Sequence, residues 1–327
     1  MRQPEVSRLL ALAAAALLVV PVARVARDLV LAAAFLTEFL SAGQYRPLST
    51  LTPAPHREAL AVSGAAVDRW AGMGGVPLVL VHGYAPAGKD EPRVRQAAAL
   101  LARAGFDVAV PTIPGLTRGR LRPDDVAAVV ATLAARDGPT AVVAVSVGAG
   151  PALLAAADPA VRDRVRVVLS LGGYASAAEL LRYFLTGEYA WESIRGRVVH
   201  APDVVRTFIE ANADLLDRGA RDALADPDRA AAVLAAPPPA IRDLLDRLSP
   251  ELVVREIRAR LVLVHGVDDP AIPYTESLRL AAARPERTRV VLVRLVGHVE
   301  PGRARTWLAA ARDLGALLVV VFGLFTD

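Results

Sequence analysis

The sequence predicts an α/β fold in which helices cover both faces of a mostly parallel sheet. Short runs of β-branched residues and leucine alternate with segments whose apolar residues recur at helical spacing. The strand runs are apolar throughout, as expected of strands that are buried on both faces. With 327 residues, 54% of them hydrophobic, the chain has enough apolar side chains for one large domain with an insertion.

Eight segments carry the strand pattern, and the first two have the spacing of a hairpin. The strands are predicted at residues 59–62, 66–70, 77–81, 107–110, 140–145, 165–171, 261–264 and 289–295. Helices are predicted between them at residues 92–104, 124–135, 148–157 and 275–283. This alternation is the sequence signature of a parallel sheet.

The long interval between Leu171 and Leu261 breaks the alternation, because it contains no strong strand pattern. Helical patterns recur there instead, at residues 177–185, 204–216, 226–234 and 239–248. An insertion at this point of the chain overhangs the carboxyl ends of the strands, where binding sites of α/β sheets form. We therefore expect a helical lid at about residues 175–255.

Residues 1–43 are predicted to be a hydrophobic anchor, followed by a linker at 44–58 and the globular body at 59–327. Two apolar runs, 9–23 and 29–40, open the chain, and the first is shorter than the roughly 20 residues that span a bilayer. No convincing cleavage site follows them. We expect an uncleaved anchor in a bacterial cell membrane; the alternative is a helix pair packed on a soluble domain.

The C-terminal end carries a further apolar run, residues 316–325, which continues a helix predicted from Arg303 to Leu314. One interpretation is the buried end of a core helix. The other is an apolar foot that lies on the same membrane as the N-terminal segment.

The composition excludes several classes of function. The chain has no cysteine, so disulfides, thiolate catalysis and cysteine-based metal sites are absent, and no metal site is predicted. The net charge is +4, and Lys89 is the only lysine. The arginines are scattered beside acidic residues without a basic stripe, so we expect no nucleic-acid partner.

Ser146 is the candidate nucleophile. It follows the apolar strand 140–145 and precedes Gly148 and an apolar helix, which is the context of a sharp strand-to-helix turn that exposes a serine oxygen. A short pattern of this kind also fits a serine that merely caps a helix. The strand-turn-helix context favours the nucleophile.

Candidates for the acid and the base follow two later strands. Asp268 and Asp269 compete for the acid role, and we favour Asp269 because the proline after it turns the chain away. His298 follows the last strand after a glycine and is the candidate base. His82 also ends a strand, but it directly precedes the turn Gly83–Tyr84, and we expect it to be a buried structural histidine.

The backbone N–H groups of Tyr84 and Val147 are the candidate oxyanion donors. A serine hydroxyl is a weak nucleophile that needs an imidazole base and a carboxylate to orient that base. The tetrahedral intermediate of acyl transfer then needs preset hydrogen-bond donors at its oxyanion. The residue after the nucleophile and a residue in the turn after the strand 77–81 are suited to this role.

Taken together, these residues resemble the α/β-hydrolase family over roughly residues 59–314. The shared motifs are His82-Gly-Tyr, the serine turn, Gly266-Val-Asp-Asp-Pro-x-x-Pro and Gly297-His298, in the family's order. The resemblance implies an eight-stranded sheet, a Ser146–His298–Asp269 triad and no cofactor. Ala144 departs from the pattern, because glycine is commonest there. Serine at position 146 disfavours the members that use an aspartate nucleophile.

The predicted function is therefore hydrolysis of a small-molecule or lipid-like ester or thioester. Six aromatic residues of the lid are candidates to line an acyl pocket or, equally, to pack the lid: Tyr174, Tyr183, Phe184, Tyr189, Trp191 and Phe208. Two other functions stay open, a membrane-tethered scaffold that has lost turnover and an acyltransferase with the same residues. The oligomeric state is left open.

Overall fold

The structure is a computed structural model that describes residues 3–200, 206, 210–212, 214, 235–298 and 306–326. Its centre is an eight-stranded, mostly parallel sheet with helices on both faces, which confirms the predicted fold class. All eight predicted strands are present, and most of them extend a little beyond the predicted ends.

Ten strands and nine helices of four or more residues are described. The strands are β1 (His56–Val62), β2 (Ala65–Ala71), β3 (Val76–Val81), β4 (Phe106–Pro111), β5 (Thr140–Val145), β6 (Val165–Leu171), β7 (Glu188–Trp191), β8 (Ile194–Arg197), β9 (Arg260–Gly266) and β10 (Thr288–Val293). The helices are α1 (Gln3–Leu40), α2 (Pro47–Leu51), α3 (Pro92–Arg103), α4 (Asp125–Ala134), α5 (Ala149–Ala157), α6 (Ala177–Thr186), α7 (Pro239–Arg247), α8 (Thr275–Ala283) and α9 (Trp307–Thr326).

The strand order in the main sheet is β1-β2-β4-β3-β5-β6-β9-β10. β2 is antiparallel to both β1 and β4, and the remaining neighbours are parallel. The parallel strands therefore all end at one edge of the sheet. β5, β6 and β9 are adjacent, so the loops that follow them meet at the middle of that edge.

Alternate residues of the central strands enter two separate apolar layers. Val143 faces the layer of α1, α3 and α9, whereas Ala144 faces the layer of α4, α5 and α8. Because both faces are covered, neither face of these strands needs polar residues. This is the physical reason for the uninterrupted apolar runs in the sequence.

The layer of α1, α3 and α9 contains a cavity of about 110 Å³ lined only by apolar side chains. Helix residues Phe35, Ala97 and Leu317 form part of its wall. On the sheet side, the wall includes Val145 and Leu171, at the carboxyl ends of β5 and β6. The cavity therefore reaches the level of the loops at the carboxyl edge.

The N-terminal part of the chain differs from the two predicted apolar segments. It forms one continuous helix of 38 residues, α1. The alternative of two N-terminal helices packed as a pair is therefore wrong, because no break separates the two apolar segments. The predicted linker at 44–58 also needs correction, because it contains α2, whose Leu48 is fully buried, and the first residues of β1.

Helix α9 joins the predicted last helix and the C-terminal apolar run into one element. Residues 303–305 of that prediction lie outside the described residues. Within the described part, the segment Trp307–Phe325 alone is long and apolar enough to cross a membrane, and about a quarter of it, 28%, is buried inside the protein. Leu317, Val320 and Leu324 are among its buried residues.

The predicted helical lid is described in part. α6 and α7 match the predicted segments 177–185 and 239–248, while most of 204–216 and all of 226–234 lie outside the described residues. One correction is needed: β7 and β8 form an antiparallel hairpin where no strand was predicted. The base of the lid is fixed to the body, because the buried Glu276 carboxylate accepts the N–H groups of Ala175 and Ser176 at 3.0 and 2.9 Å.

An ion cluster joins the amino-terminal part of the sheet to the end of α4. The carboxylate of Asp107 lies 2.9 Å from the guanidinium of Arg69 and 2.9 Å from that of Arg136. Burial alone would raise the pKa of Asp107, but these hydrogen bonds and charges outweigh it and hold the pKa below its usual range.

Candidate active site

Ser146 occupies a strained turn between β5 and α5. Its φ angle is +54°, whereas Val145 before it is extended with φ −118° and Gly148 after it is helical with φ −64°. A left-handed conformation costs an L-residue about 1–2 kcal/mol, so such positions persist only where the surrounding structure imposes them. The reversal directs the serine away from the strand direction at the carboxyl edge of the sheet.

Two glycines allow the chain to approach this turn closely. A Cβ at Gly148 would lie 2.2 Å from the carbonyl oxygen of His82, and a Cβ at Gly83 would lie 2.9 Å from the Cβ of Ser146. Any side chain at either position would displace the backbone around the serine. Ala144, where glycine was expected, is fully buried in the layer below, and its methyl group is accommodated there.

The structure brings Ser146, His298 and Asp269 into one hydrogen-bonded series. Ser146 Oγ lies 2.7 Å from His298 Nε2, and His298 Nδ1 lies 2.8 Å from Asp269 Oδ2. A carboxylate only accepts, so Nδ1 carries the ring proton, and Nε2 of the neutral ring accepts the serine hydroxyl. These are the bonds that activate a serine for attack.

Asp269, not Asp268, contacts the histidine. The Asp269 side chain is buried, and its Oδ1 accepts the N–H groups of Ala271 and Ile272 at 2.8 and 3.0 Å. Asp268 is 69% exposed and pairs with Arg294 at 3.0 Å. The acid loop therefore fixes one carboxylate toward the imidazole and leaves the other in solvent.

Gly172 is a site residue that the sequence analysis missed. It follows β6 with φ +61°, and a Cβ there would lie 3.2 Å from Asp269 Oδ2 and 3.4 Å from His298 Nδ1. The backbone of Gly172 therefore lies directly against the Asp269–His298 hydrogen bond. Its position at the end of a central strand was the only available signal.

His82 is a structural histidine, as expected. Its Nδ1 lies 2.7 Å from the carbonyl oxygen of Gly83, and its Nε2 accepts the N–H of Ile113 at 3.1 Å. Because Gly83 offers an acceptor and Ile113 a donor, the Nδ1–H tautomer satisfies both bonds. Burial lowers the pKa of His82, which favours the neutral ring. The histidine thereby connects the Gly83 turn to the loop after β4.

The candidate oxyanion donors, Tyr84 and Val147, lie on either side of the serine turn. Val147 is in the first helical turn after β5, where backbone N–H groups have no acceptor within the helix. Tyr84 directly follows Gly83, and among the described residues its N–H has no acceptor. Both amides are therefore free to bind a developing negative charge.

Two of the three predicted substrate-lining residues pack inside the protein, and the assignment of the third, Trp191, stays a prediction. Tyr174 and Tyr183 are fully buried, and their hydroxyls donate to the carbonyl oxygens of Leu248 at 3.0 Å and Pro270 at 2.7 Å. Their assignment to a substrate pocket is corrected, because their rings and hydroxyls are already used in packing. Trp191 is half-buried under the guanidinium of Arg279, which lies 4.6 Å from the ring centroid.

Two of the other lid aromatics also lie beside the ring of Tyr183. Tyr189 and Phe184 lie with their ring centroids 6.0 and 6.2 Å from that of Tyr183. Phe208 lies outside the described residues.

Within the described part of the chain, no group of three or more acidic or histidine side chains is arranged to hold a metal ion.

Comparisons with known proteins were made at the level of sequence and of structure. No sequence-family model and no curated protein sequence matches this chain. The solved structure of 2,6-dihydroxy-pseudo-oxynicotine hydrolase is similar at a TM-score of 0.50 with 19% identity, and covers 87% of this chain and 73% of its own.

Two further solved structures have lower similarity scores. A meta-cleavage product hydrolase from Pseudomonas fluorescens IP01 has a TM-score of 0.48 and 15% identity, and covers 82% of this chain and 97% of its own. Est1E from Butyrivibrio proteoclasticus has a TM-score of 0.47 and 15% identity, with 84% and 100% covered. By its sheet and its structural likeness, the chain is an α/β-hydrolase-fold protein.

Proposed function

We propose that this protein is a serine hydrolase that cleaves a carboxylic ester or thioester through an acyl-enzyme. One observation carries the proposal: an unbroken series of hydrogen bonds from Asp269 through His298 to the hydroxyl of Ser146, at 2.8 and 2.7 Å. The serine at the end of this series sits on a strained turn at the carboxyl edge of the sheet.

In the acylation step, His298 Nε2 removes the proton of Ser146 as Oγ attacks the substrate carbonyl carbon. The carboxylate of Asp269 stabilises the imidazolium that forms and holds the ring in the orientation that the reaction needs. The amides of Tyr84 and Val147 donate to the oxyanion of the tetrahedral intermediate. When this intermediate collapses, Nε2–H protonates the departing alcohol or thiol, and the acyl group stays on Ser146.

In the deacylation step, water takes the place of the leaving group. His298 removes a proton from this water, which attacks the acyl carbonyl. The oxyanion of the second tetrahedral intermediate accepts from the same two amides, those of Tyr84 and Val147. Collapse of that intermediate releases the carboxylic acid and returns the proton to Ser146. Apart from the substrate and this water, both steps use only residues of the chain named above.

The direct test is labelling with a fluorophosphonate, which reacts with an activated serine. We expect label on Ser146 in the full-length protein and none in Ser146→Ala, with hydrolysis of p-nitrophenyl esters lost in the same variant. A screen of acyl chains from acetyl to palmitoyl then defines the substrate. A folded protein that takes up no label supports the scaffold alternative, and ester products with added alcohols would identify an acyltransferase.

We further propose that α1 attaches the protein to a bacterial cell membrane, which suits a lipid-like substrate. An exposed apolar stripe on α1 supports this: Val22, Val25 and Leu29 recur at helical spacing on one face. A 38-residue helix is about 57 Å long, which exceeds the roughly 30 Å hydrocarbon core of a bilayer. Apolar residues on a surface helix are a common means of membrane attachment.

This attachment is tested on the full chain, because removal of α1 would also remove Leu36, which is buried in the core of the body. We expect the wild-type protein to float with lipid vesicles and the double variant Val22→Glu/Val25→Glu to stay in the soluble fraction. Val199→Glu is the matched control, since Val199 is exposed elsewhere. Flotation that is equal in the double variant and the control contradicts the role of the stripe.

A further inference from the structure

A second histidine lies behind the acid of the site. His265, near the end of β9, is fully buried. Its Nδ1 lies 2.8 Å from Ser277 Oγ on α8, and its Nε2 lies 2.9 Å from the carbonyl oxygen of Ile272. The same Nε2 is 3.5 Å from Asp269 Oδ2, the oxygen that accepts His298. His265 and His298 therefore approach one carboxylate oxygen.

These contacts determine the tautomer of His265. A backbone carbonyl only accepts, so Nε2 carries the ring proton, and Nδ1 accepts the hydroxyl of Ser277. Burial lowers the pKa of His265, which favours the neutral ring, and the titratable groups that face it are Asp269 and His298. The ring consequently presents an N–H to Ile272 with the carboxylate of Asp269 beside it.

The residue Ile272 links the histidine to the acid. Its N–H donates to Asp269 Oδ1 at 3.0 Å, while its carbonyl accepts from His265. The start of the same loop is also tightly placed, since a Cβ at Gly266 would lie 2.3 Å from the carbonyl oxygen of Gly297, which precedes His298. A shift of the loop at Ile272 would therefore move Asp269 relative to the base.

We propose that His265 is a positioning residue that closes the acid loop and keeps Asp269 aimed at His298. It does not contact the substrate and acts only through Asp269 and Ile272. The inference rests on the proposed function for its effect on turnover. Its structural part, the control of the Asp269–His298 hydrogen bond, is measured without any substrate.

The first test needs no variant. In full-length protein labelled with ¹⁵N-histidine, the imidazole nitrogen shifts report which ring nitrogen of each histidine carries a proton. We expect His265 as the neutral Nε2–H tautomer at neutral pH. An Nδ1–H tautomer, or a doubly protonated ring, would overturn the proposal because Ile272 would then lack its donor or the ring would carry a charge.

The second test uses two substitutions whose side-chain amides take the places of different ring nitrogens. The amide of glutamine reaches the place of Nε2 and can donate to Ile272, whereas the shorter asparagine reaches only the place of Nδ1. We expect His265→Gln to keep kcat within about threefold and His265→Asn to lower it about tenfold at unchanged KM, because misplaced catalytic groups lose transition-state stabilisation. Thr132→Val, which removes a buried hydrogen bond in α4, is the control and should leave kcat unchanged.

The His298 Nδ1–H proton resonance separates the inference from the proposed function. We expect it in the wild type and His265→Gln, and its loss or a clear shift in His265→Asn. If the wild type reacts with neither esters nor fluorophosphonate but this pattern holds, the proposed function fails and the positioning role stands. A folded His265→Asn variant with wild-type kcat and an unshifted resonance overturns the role.

Discussion

Replacement of Gly172 by alanine tests whether the site tolerates a methyl group against the Asp269–His298 hydrogen bond. The new Cβ would lie 3.1 Å from the carbonyl oxygen of His298 and 3.2 Å from Asp269 Oδ2, so both neighbours must move by a few tenths of an ångström. The φ of +61° adds strain of about 1–2 kcal/mol, of which reduced unfolded-state entropy offsets about half. The expected loss of stability is about 1 kcal/mol.

The effect on reactivity should be larger than the effect on stability. A small displacement of oriented catalytic groups costs about ten- to a hundredfold in rate. Gly64→Ala is the matched control, because Gly64 has φ +77° and nothing within 4 Å of its added Cβ. We expect both variants to be destabilised in urea unfolding, Gly172→Ala at least as much as Gly64→Ala, but slower fluorophosphonate labelling of Ser146 only in Gly172→Ala. Equal labelling rates would refute the argument that contact with the pair is what requires glycine.

Three further substitutions test the acid, the cavity and the ion cluster. Asp269→Asn should lower the rate of ester hydrolysis at least about a thousandfold, whereas Asp268→Asn, at an exposed side chain, should change it less than about twofold; similar losses in both would contradict the assignment of the acid. Ala97→Leu should raise the free energy of unfolding by about 1 kcal/mol because it fills the apolar cavity, and Ala98→Leu, at a fully buried neighbour outside the lining, should lower it. Asp107→Asn should destabilise the protein at neutral pH, as measured by urea unfolding. Because the folded-state pKa of Asp107 is depressed, its contribution is present above the unfolded-state value of about 4 and is lost as the pH falls through the folded-state value. A difference from the wild type that persists at pH values below the folded-state pKa would contradict the ion-pair explanation.

The strands and the three reactive side chains were predictable because their signals are local. A parallel strand that is buried on both faces leaves a continuous apolar run, and Ser146 follows such a run directly in the sequence. Asp269 and His298 also lie shortly after parallel strands of the sheet, β9 and β10. Since parallel strands end at one edge, position along the chain was sufficient to bring these residues to the same region.

Other features depend on tertiary contacts that the sequence does not display. The hairpin β7–β8 turns through Glu192 with φ +49°, so it lacks the glycine or asparagine that usually marks a tight turn. Tyr174 and Tyr183 are apolar rings with one polar group, and their sequence positions do not determine whether that group meets a ligand or a backbone carbonyl. Gly172 has no feature apart from its place after β6 that distinguishes it from other loop glycines.

The packing of α1 adds a constraint to the proposed membrane attachment. Its last turns are part of the body, because Ala32 and Leu36 are fully or nearly buried and the carboxylate of Glu38 accepts the N–H of Ser49 at 2.9 Å. The exposed apolar stripe lies earlier on the same continuous helix. A helix transmits orientation along its axis, so attachment of α1 through this stripe would fix the tilt of the body as well as its distance from the lipid. A flexible linker would leave both free, and the buried end of α1 is therefore the reason to expect one defined orientation of the carboxyl edge relative to the membrane.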